Sequence, residues 1–83
     1  GSSVSAEQMF GEAVVALRAG KLEEAERGFR AVLAREPGNL GAWGNLGVLL
    51  NRRNRPAEAV AVYQKALRLA PGEPGLLLSL IHI

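Results

Sequence analysis

Apolar residues recur along this chain at intervals of three and four rather than two. Met9, Ala13, Ala16 and Leu17 fall on one helical stripe, and Leu22, Ala25, Phe29, Val32 and Leu33 on another. The spacing returns in Trp43, Leu46, Gly47 and Leu50, and again in Ala59, Val62, Tyr63, Ala66, Leu67 and Leu69. A period of about 3.6 residues is the mark of an amphipathic helix. The stripes predict four helices, with a fifth helical segment from Leu76 to Ile83.

Punctuation between the stripes sets the ends. Ser5, with Gln8 three positions later, reads as a capping box: the hydroxyl accepts a first-turn N–H and Gln8 reaches back. The first helix is expected over residues 6–19, ended by a left-handed Gly20. A second is expected over 22–35, stopped by Pro37-Gly38. Asn39 can cap a third over 40–53, with Asn54 as its left-handed terminator. Pro56 suits the first turn of a fourth, which runs to residue 70 before Pro71-Gly72. Connections this short make consecutive helices antiparallel neighbours.

The pattern repeats. With an offset of 34, Met9 overlies Trp43, Ala13 overlies Gly47, Ala25 overlies Ala59, Phe29 overlies Tyr63, and Pro37 overlies Pro71. Residues 6–39 and 40–73 are thus one unit written twice, preceded by a leader at 1–5 and followed by a partial third copy at 74–83. Such a period implies stacked units rather than a closed globule. Small residues at Ala13 and Gly47, opposite Ala25 and Ala59, would let the helices of each pair approach closely. Phe29 and Tyr63 would fill the gap to the next pair.

Trp43-x-x-Leu46-Gly47-x-x-Leu50, then Ala59-x-x-x-Tyr63, Ala66 and Pro71, resembles the tetratricopeptide repeat. Leu50 stands for the usual Tyr and Tyr63 for the usual Phe, and the first unit departs further, with Met9 for Trp and Glu12 for Leu. The resemblance implies an all-α fold of antiparallel helix-turn-helix pairs, stacked as a right-handed solenoid. It also implies a concave groove, lined by the first helix of each pair, that binds a peptide or protein. Carried over by position, that groove is Glu7, Phe10, Val14, Leu17 and Arg18, then Gly41, Gly44, Asn45, Val48, Asn51 and Arg52. Phe10 is its preferred contact, since a large aromatic there would bury much area. Some members of the family clamp a partner's C-terminal carboxylate with Lys, Arg and Asn. The matching positions here are Phe10, Val14, Asn45, Gly75 and Ser79, and only Asn45 fits.

Composition narrows the function. The chain of 83 residues has no Cys, Asp or Thr, and its one histidine is His82. Neither a catalytic triad nor a metal site can be assembled from this inventory, so a non-enzyme without cofactor is expected. The glutamates, among them Glu23, Glu24 and Glu26, read as solvated on exposed helix faces. No apolar run approaches the roughly 20 residues of a membrane span. No secretory signal is visible, which favours the cytoplasm, although Gly1-Ser2 resembles a cloning remnant.

Net charge is only +2, but residues 40–73 hold five basic side chains against two acidic ones. Arg52, Arg53 and Arg55 cluster at one turn, which offers a low-ranked nucleic-acid reading. A solvated turn that complements a helix dipole is the favoured account. Three glycines, Gly41, Gly44 and Gly47, lie at spacing three. Gly47 has a packing reason; the other two are read as drift, with a bare surface for a partner backbone as the alternative.

The last residues change character. Both isoleucines and the histidine fall within residues 81–83, and Ile81 occupies the place of Ala13 and Gly47. Leu78-Ser79-Leu80-Ile81-His82-Ile83 is also one reading frame of CTGTCTCTTATACACATC, which resembles a transposon adaptor end. A foreign origin for the hexapeptide is therefore expected. Whatever its origin, Leu76, Leu77, Leu80, Ile81 and Ile83 form an apolar face expected to drive homo-oligomerisation.

The leading expectation is a non-catalytic interaction scaffold, a fragment of a longer array. The alternative is a regulatory or substrate-presenting segment of a larger enzyme such as a transferase.

Overall fold

The structure, a computed structural model, describes residues 5–70. Four helices follow one another: α1 (Ala6–Arg18), α2 (Leu22–Arg35), α3 (Leu40–Arg52) and α4 (Pro56–Leu69). No strand occurs among the described residues. The expected fifth helix, with Leu76, Leu77, Leu80, Ile81 and Ile83, lies outside them. All four helices start where the stripes predict, and α1, α3 and α4 end one residue sooner because Ala19, Arg53 and Ala70 serve as caps.

The turns follow from their residues. After α1, Gly20 takes φ +81°, its N–H donates to the Leu17 carbonyl, and the Lys21 N–H reaches the Ala16 carbonyl at 2.9 Å. Asn54 repeats the device after α3 with φ 61°, and the Arg55 N–H donates to the Leu50 carbonyl. This paired bonding satisfies carbonyls that a helix end leaves open. Both left-handed terminators stand where the sequence put them.

Caps differ in detail from expectation. Ser5 Oγ accepts the Gln8 N–H at 3.1 Å, but the Gln8 side chain donates to Glu12 instead of reaching back. The reciprocal half of the capping box is missing. Asn39 Oδ1 accepts the Ala42 N–H at 3.0 Å and caps α3 as expected.

α1 packs on α2 and α3 on α4, while α2 and α3 join the two pairs and α1 touches α3. The core is one cluster that includes Leu17, Phe29, Val32, Leu46, Leu49, Leu50 and Tyr63. Leu49 and Ala42, fully buried, were not on the predicted stripes. Leu69, placed inside or partly inside by the pattern, is 44% exposed. It stands in the last turn of α4, where no described element covers it.

The close approach within each pair is visible at its glycines. A Cβ added to Gly28 would stand 2.8 Å from Ala13 Cβ, so Gly28 is what lets α2 reach α1. In the second pair the missing side chain is on the other helix. A Cβ on Gly47 would stand 2.6 Å from the Tyr63 ring, which fills that space. Across the offset of 34, Ala13 overlies Gly47 and Gly28 overlies Val62, so the small and large members change sides between pairs.

Candidate functional site

The first helices, α1 and α3, carry the expected groove residues. Glu7, Arg18, Gly41, Val48, Asn51 and Arg52 are exposed; Phe10, Val14, Gly44 and Asn45 are half-buried. Leu17 is the correction among them. It is buried in the core cluster, because its position on α1 is shared with Ala13 and Ala16 and faces inward. It offers a partner nothing.

Phe10 also differs from a free contact residue. Its ring meets Phe29 edge to face, with centroids 5.7 Å apart and planes at 72°. The ring also approaches Gly41 so closely that a Cβ there would lie 3.1 Å from Phe10 Cζ. Gly41 is therefore explained by packing across the α1–α3 contact, a reason its sequence position did not reveal. Gly44 has nothing within 4 Å of an added Cβ and leaves bare helix at the surface. Beside it Val48, 37% exposed, is an apolar side chain without a core place. The Asn45 amide donates to the Gly41 carbonyl at 2.8 Å, so one of its hydrogens is already engaged.

Two clefts open near these helices. One, of about 280 Å³, is lined by Glu7, Phe10, Glu36 and Asn39 where α1 begins and α2 gives way to α3. Glu36 accepts from Asn39 Nδ2 at 3.0 Å. The Trp43 indole donates to the Pro37 carbonyl at 2.7 Å and holds the same connection. The other cleft, of about 200 Å³, lies between α1 and α2 and includes Glu12, Val15, Ala16 and Lys21. With the offset of 34 these residues match Leu46, Leu49, Leu50 and Arg55. The three leucines are fully buried, whereas Val15 is 67% exposed. An acid at Glu12 is tolerated for that reason: no described element covers this face of α1.

The arginine cluster departs from a solvated turn. Glu26 on α2 is only 9% exposed, which corrects its reading as a surface carboxylate. Its Oε1 accepts from Arg53 Nη1 and from Arg55 Nη1, each at 2.8 Å, and its Oε2 accepts from Arg30 Nε at 2.9 Å. Arg55 also donates to Glu58. Desolvation pushes the Glu26 carboxyl up, but the hydrogen bonds from Arg30 and Arg53 and the charges of Arg30 and Arg55 outweigh it. The net shift is below the usual carboxylate value. Glu58 is lowered as well, chiefly by its hydrogen bond from Arg55. Of the three clustered arginines, only Arg52 has no ion partner among the described residues. The cluster thus serves to tie the second pair to the first, which removes the main support for a nucleic-acid surface.

Among the described residues, no three His, Cys, Asp or Glu side chains gather as a metal site would require. No described helix is long and apolar enough to cross a membrane.

Two pairs of antiparallel helices, a repeat of 34 residues and close approaches at fixed positions define a helical repeat protein. The chain belongs to the tetratricopeptide repeat family, which matches residues 10–74. Such repeats generally mediate contacts between proteins. It is also similar to the protein O-mannosyl-transferase Tmtc3 of Drosophila melanogaster, at 44% identity over 52 residues. The match covers 63% of this chain and 6% of that protein.

Proposed function

We propose that this chain is a non-catalytic scaffold piece that holds a peptide or protein segment against the side-by-side α1 and α3. The observation that carries the reading is the strip formed by Gly44 and Val48. Val48 is an exposed apolar residue in mid-helix, and Gly44 has nothing within 4 Å of an added Cβ. Core demands account for Leu17 and Gly41, while Phe10 is braced by Phe29 but only half-buried, so the residues that can meet a partner are Glu7, Phe10, Val14, Arg18, Gly44, Asn45, Val48, Asn51 and Arg52. An apolar centre with a polar rim is the usual anatomy of a transient interface.

The test is a pull-down with the full-length gene product. Val48→Glu combined with Asn51→Ala should abolish partner recovery while circular dichroism stays unchanged. Equal recovery by the variant and the parent refutes the groove.

A second reading has its own support. The relative named as an O-mannosyl-transferase matches this chain over a small share of its length. In that case the repeats present a substrate or position a catalytic domain elsewhere in a larger enzyme. The gene decides between them: an open reading frame that joins these repeats to a transferase domain favours the second.

A further inference from the structure

We propose that the cleft between Glu7, Phe10, Glu36 and Asn39 receives a lysine or arginine side chain of the segment bound in the groove. The proposal rests on the groove reading above and adds the chemistry of one partner residue.

The walls specify a cation. Among the described residues, both ionisable groups that line the cleft are carboxylates, and no basic side chain lines it. Glu7 has no ion partner among the described residues. Glu36 is oriented by the 3.0 Å hydrogen bond from Asn39 Nδ2, and Asn39 is itself held by capping Ala42. The Phe10 ring is braced by Phe29 and crowded by Gly41, so the surface it gives to the cleft is fixed before a ligand arrives. About 280 Å³ leaves room for one long side chain but not for a folded element.

Lysine and arginine combine an apolar stem with a charged head. The stem would lie on the Phe10 ring, where a cation also gains from the ring's negative face, and the head would sit between the two carboxylates. Other occupants fit poorly. An apolar side chain would desolvate Glu7 and Glu36 with nothing in return, and an acidic one would meet two like charges. The far end of the groove carries the opposite sign, since Arg18 and Arg52 have no ion partner among the described residues. A bound segment would therefore place its basic residue at the start of α1.

The experiment is a selection of random 12-residue peptides displayed on phage against the full chain, followed by titration of one selected peptide. The expected result is a lysine or arginine fixed at one position. Glu7→Gln/Glu36→Gln should weaken binding about fivefold or more, as loss of two partly exposed ion pairs implies. Replacing the peptide's lysine or arginine by norleucine should weaken the parent similarly and leave the double variant unaffected, which isolates the pair. Peptides without a fixed basic residue, bound equally by the double variant but lost with Val48→Glu, would overturn the cleft while leaving the groove intact. Failure of the parent to retain any peptide would overturn both.

Discussion

Glu26 and Arg53 lie 27 positions apart in the chain and 2.8 Å apart in the fold. Arg55 reaches the same oxygen from two residues further on. The contact joins the second helix of one pair to the turn that closes the first helix of the next, so it fastens the stack where the two units meet. It does not recur by the offset of 34: Val60 overlies Glu26 and Gln64 overlies Arg30. The ion cluster is particular to this junction.

Glu26→Gln should destabilise the chain by about 1–2 kcal/mol, the range for losing charged hydrogen bonds to a buried acceptor. Arg53 and Arg55 keep 31% and 35% exposure, which holds the loss below that of a fully buried pair. Urea denaturation of the parent and variant measures it, and a difference under about 0.3 kcal/mol would remove Glu26 from the account of the junction.

Acid should weaken the same junction. Glu26 and Glu58 have folded values below their unfolded ones. Their contribution is present above the unfolded carboxylate value of about 4.3 and is lost as pH falls through the folded values. Thermal midpoints measured from pH 6 down to pH 3 should fall, and less steeply for Glu26→Gln than for the parent. Parallel curves would show that Glu26 does not titrate differently on folding.

Two glycines should respond to alanine with opposite signs. Gly44 has open space around an added Cβ, so Gly44→Ala should stabilise by up to about 1 kcal/mol through helix propensity alone. At Gly28 the new methyl would stand 2.8 Å from Ala13 Cβ. Overpacking of this kind costs about 1–3 kcal/mol, so Gly28→Ala should destabilise in spite of the same propensity gain. Equal melting shifts in the two variants would mean that α1 and α2 are not in tight contact.

The apolar run at 76–83 predicts association. Sedimentation of the full chain at high micromolar concentration should give a species larger than one chain, and truncation after Gly75 should return a monomer. A monomer before truncation would refute self-association through Leu76, Leu77, Leu80, Ile81 and Ile83. Genomic sequence that continues past the codon for Ile83 without the adaptor motif would likewise refute a foreign origin for residues 78–83.

Much of the fold was legible because helix formation and helix ending are local. Gly20 and Asn54 were placed as left-handed terminators from the stripes around them, and both adopt positive φ. Asn39 was placed as a cap from the residues that follow it, and it caps. Readings that depended on what comes from elsewhere in the chain fared differently. Leu17 was placed both on the apolar stripe and, by position in the repeat, in the groove; it is buried, and only the stripe holds. Gly41 was read as drift, although the Phe10 ring lies against it. Glu26 sits between Glu24 and Arg27 in a charged run that gives no hint of three arginines converging on it.

The sequence by itself determined the four helices, their ends and their order, because hydrophobic period, capping and backbone conformation act over a few residues. It also determined the repeat, since two copies in phase need no coordinates to compare. Only the tertiary structure decided which charges are paired, which glycines are crowded and which apolar residues remain for a partner. Those outcomes depend on groups brought together from distant positions, 15 apart for Ala13 and Gly28, 27 for Glu26 and Arg53 and 31 for Phe10 and Gly41. Helical spacing cannot encode the approach of one helix to another at side-chain resolution.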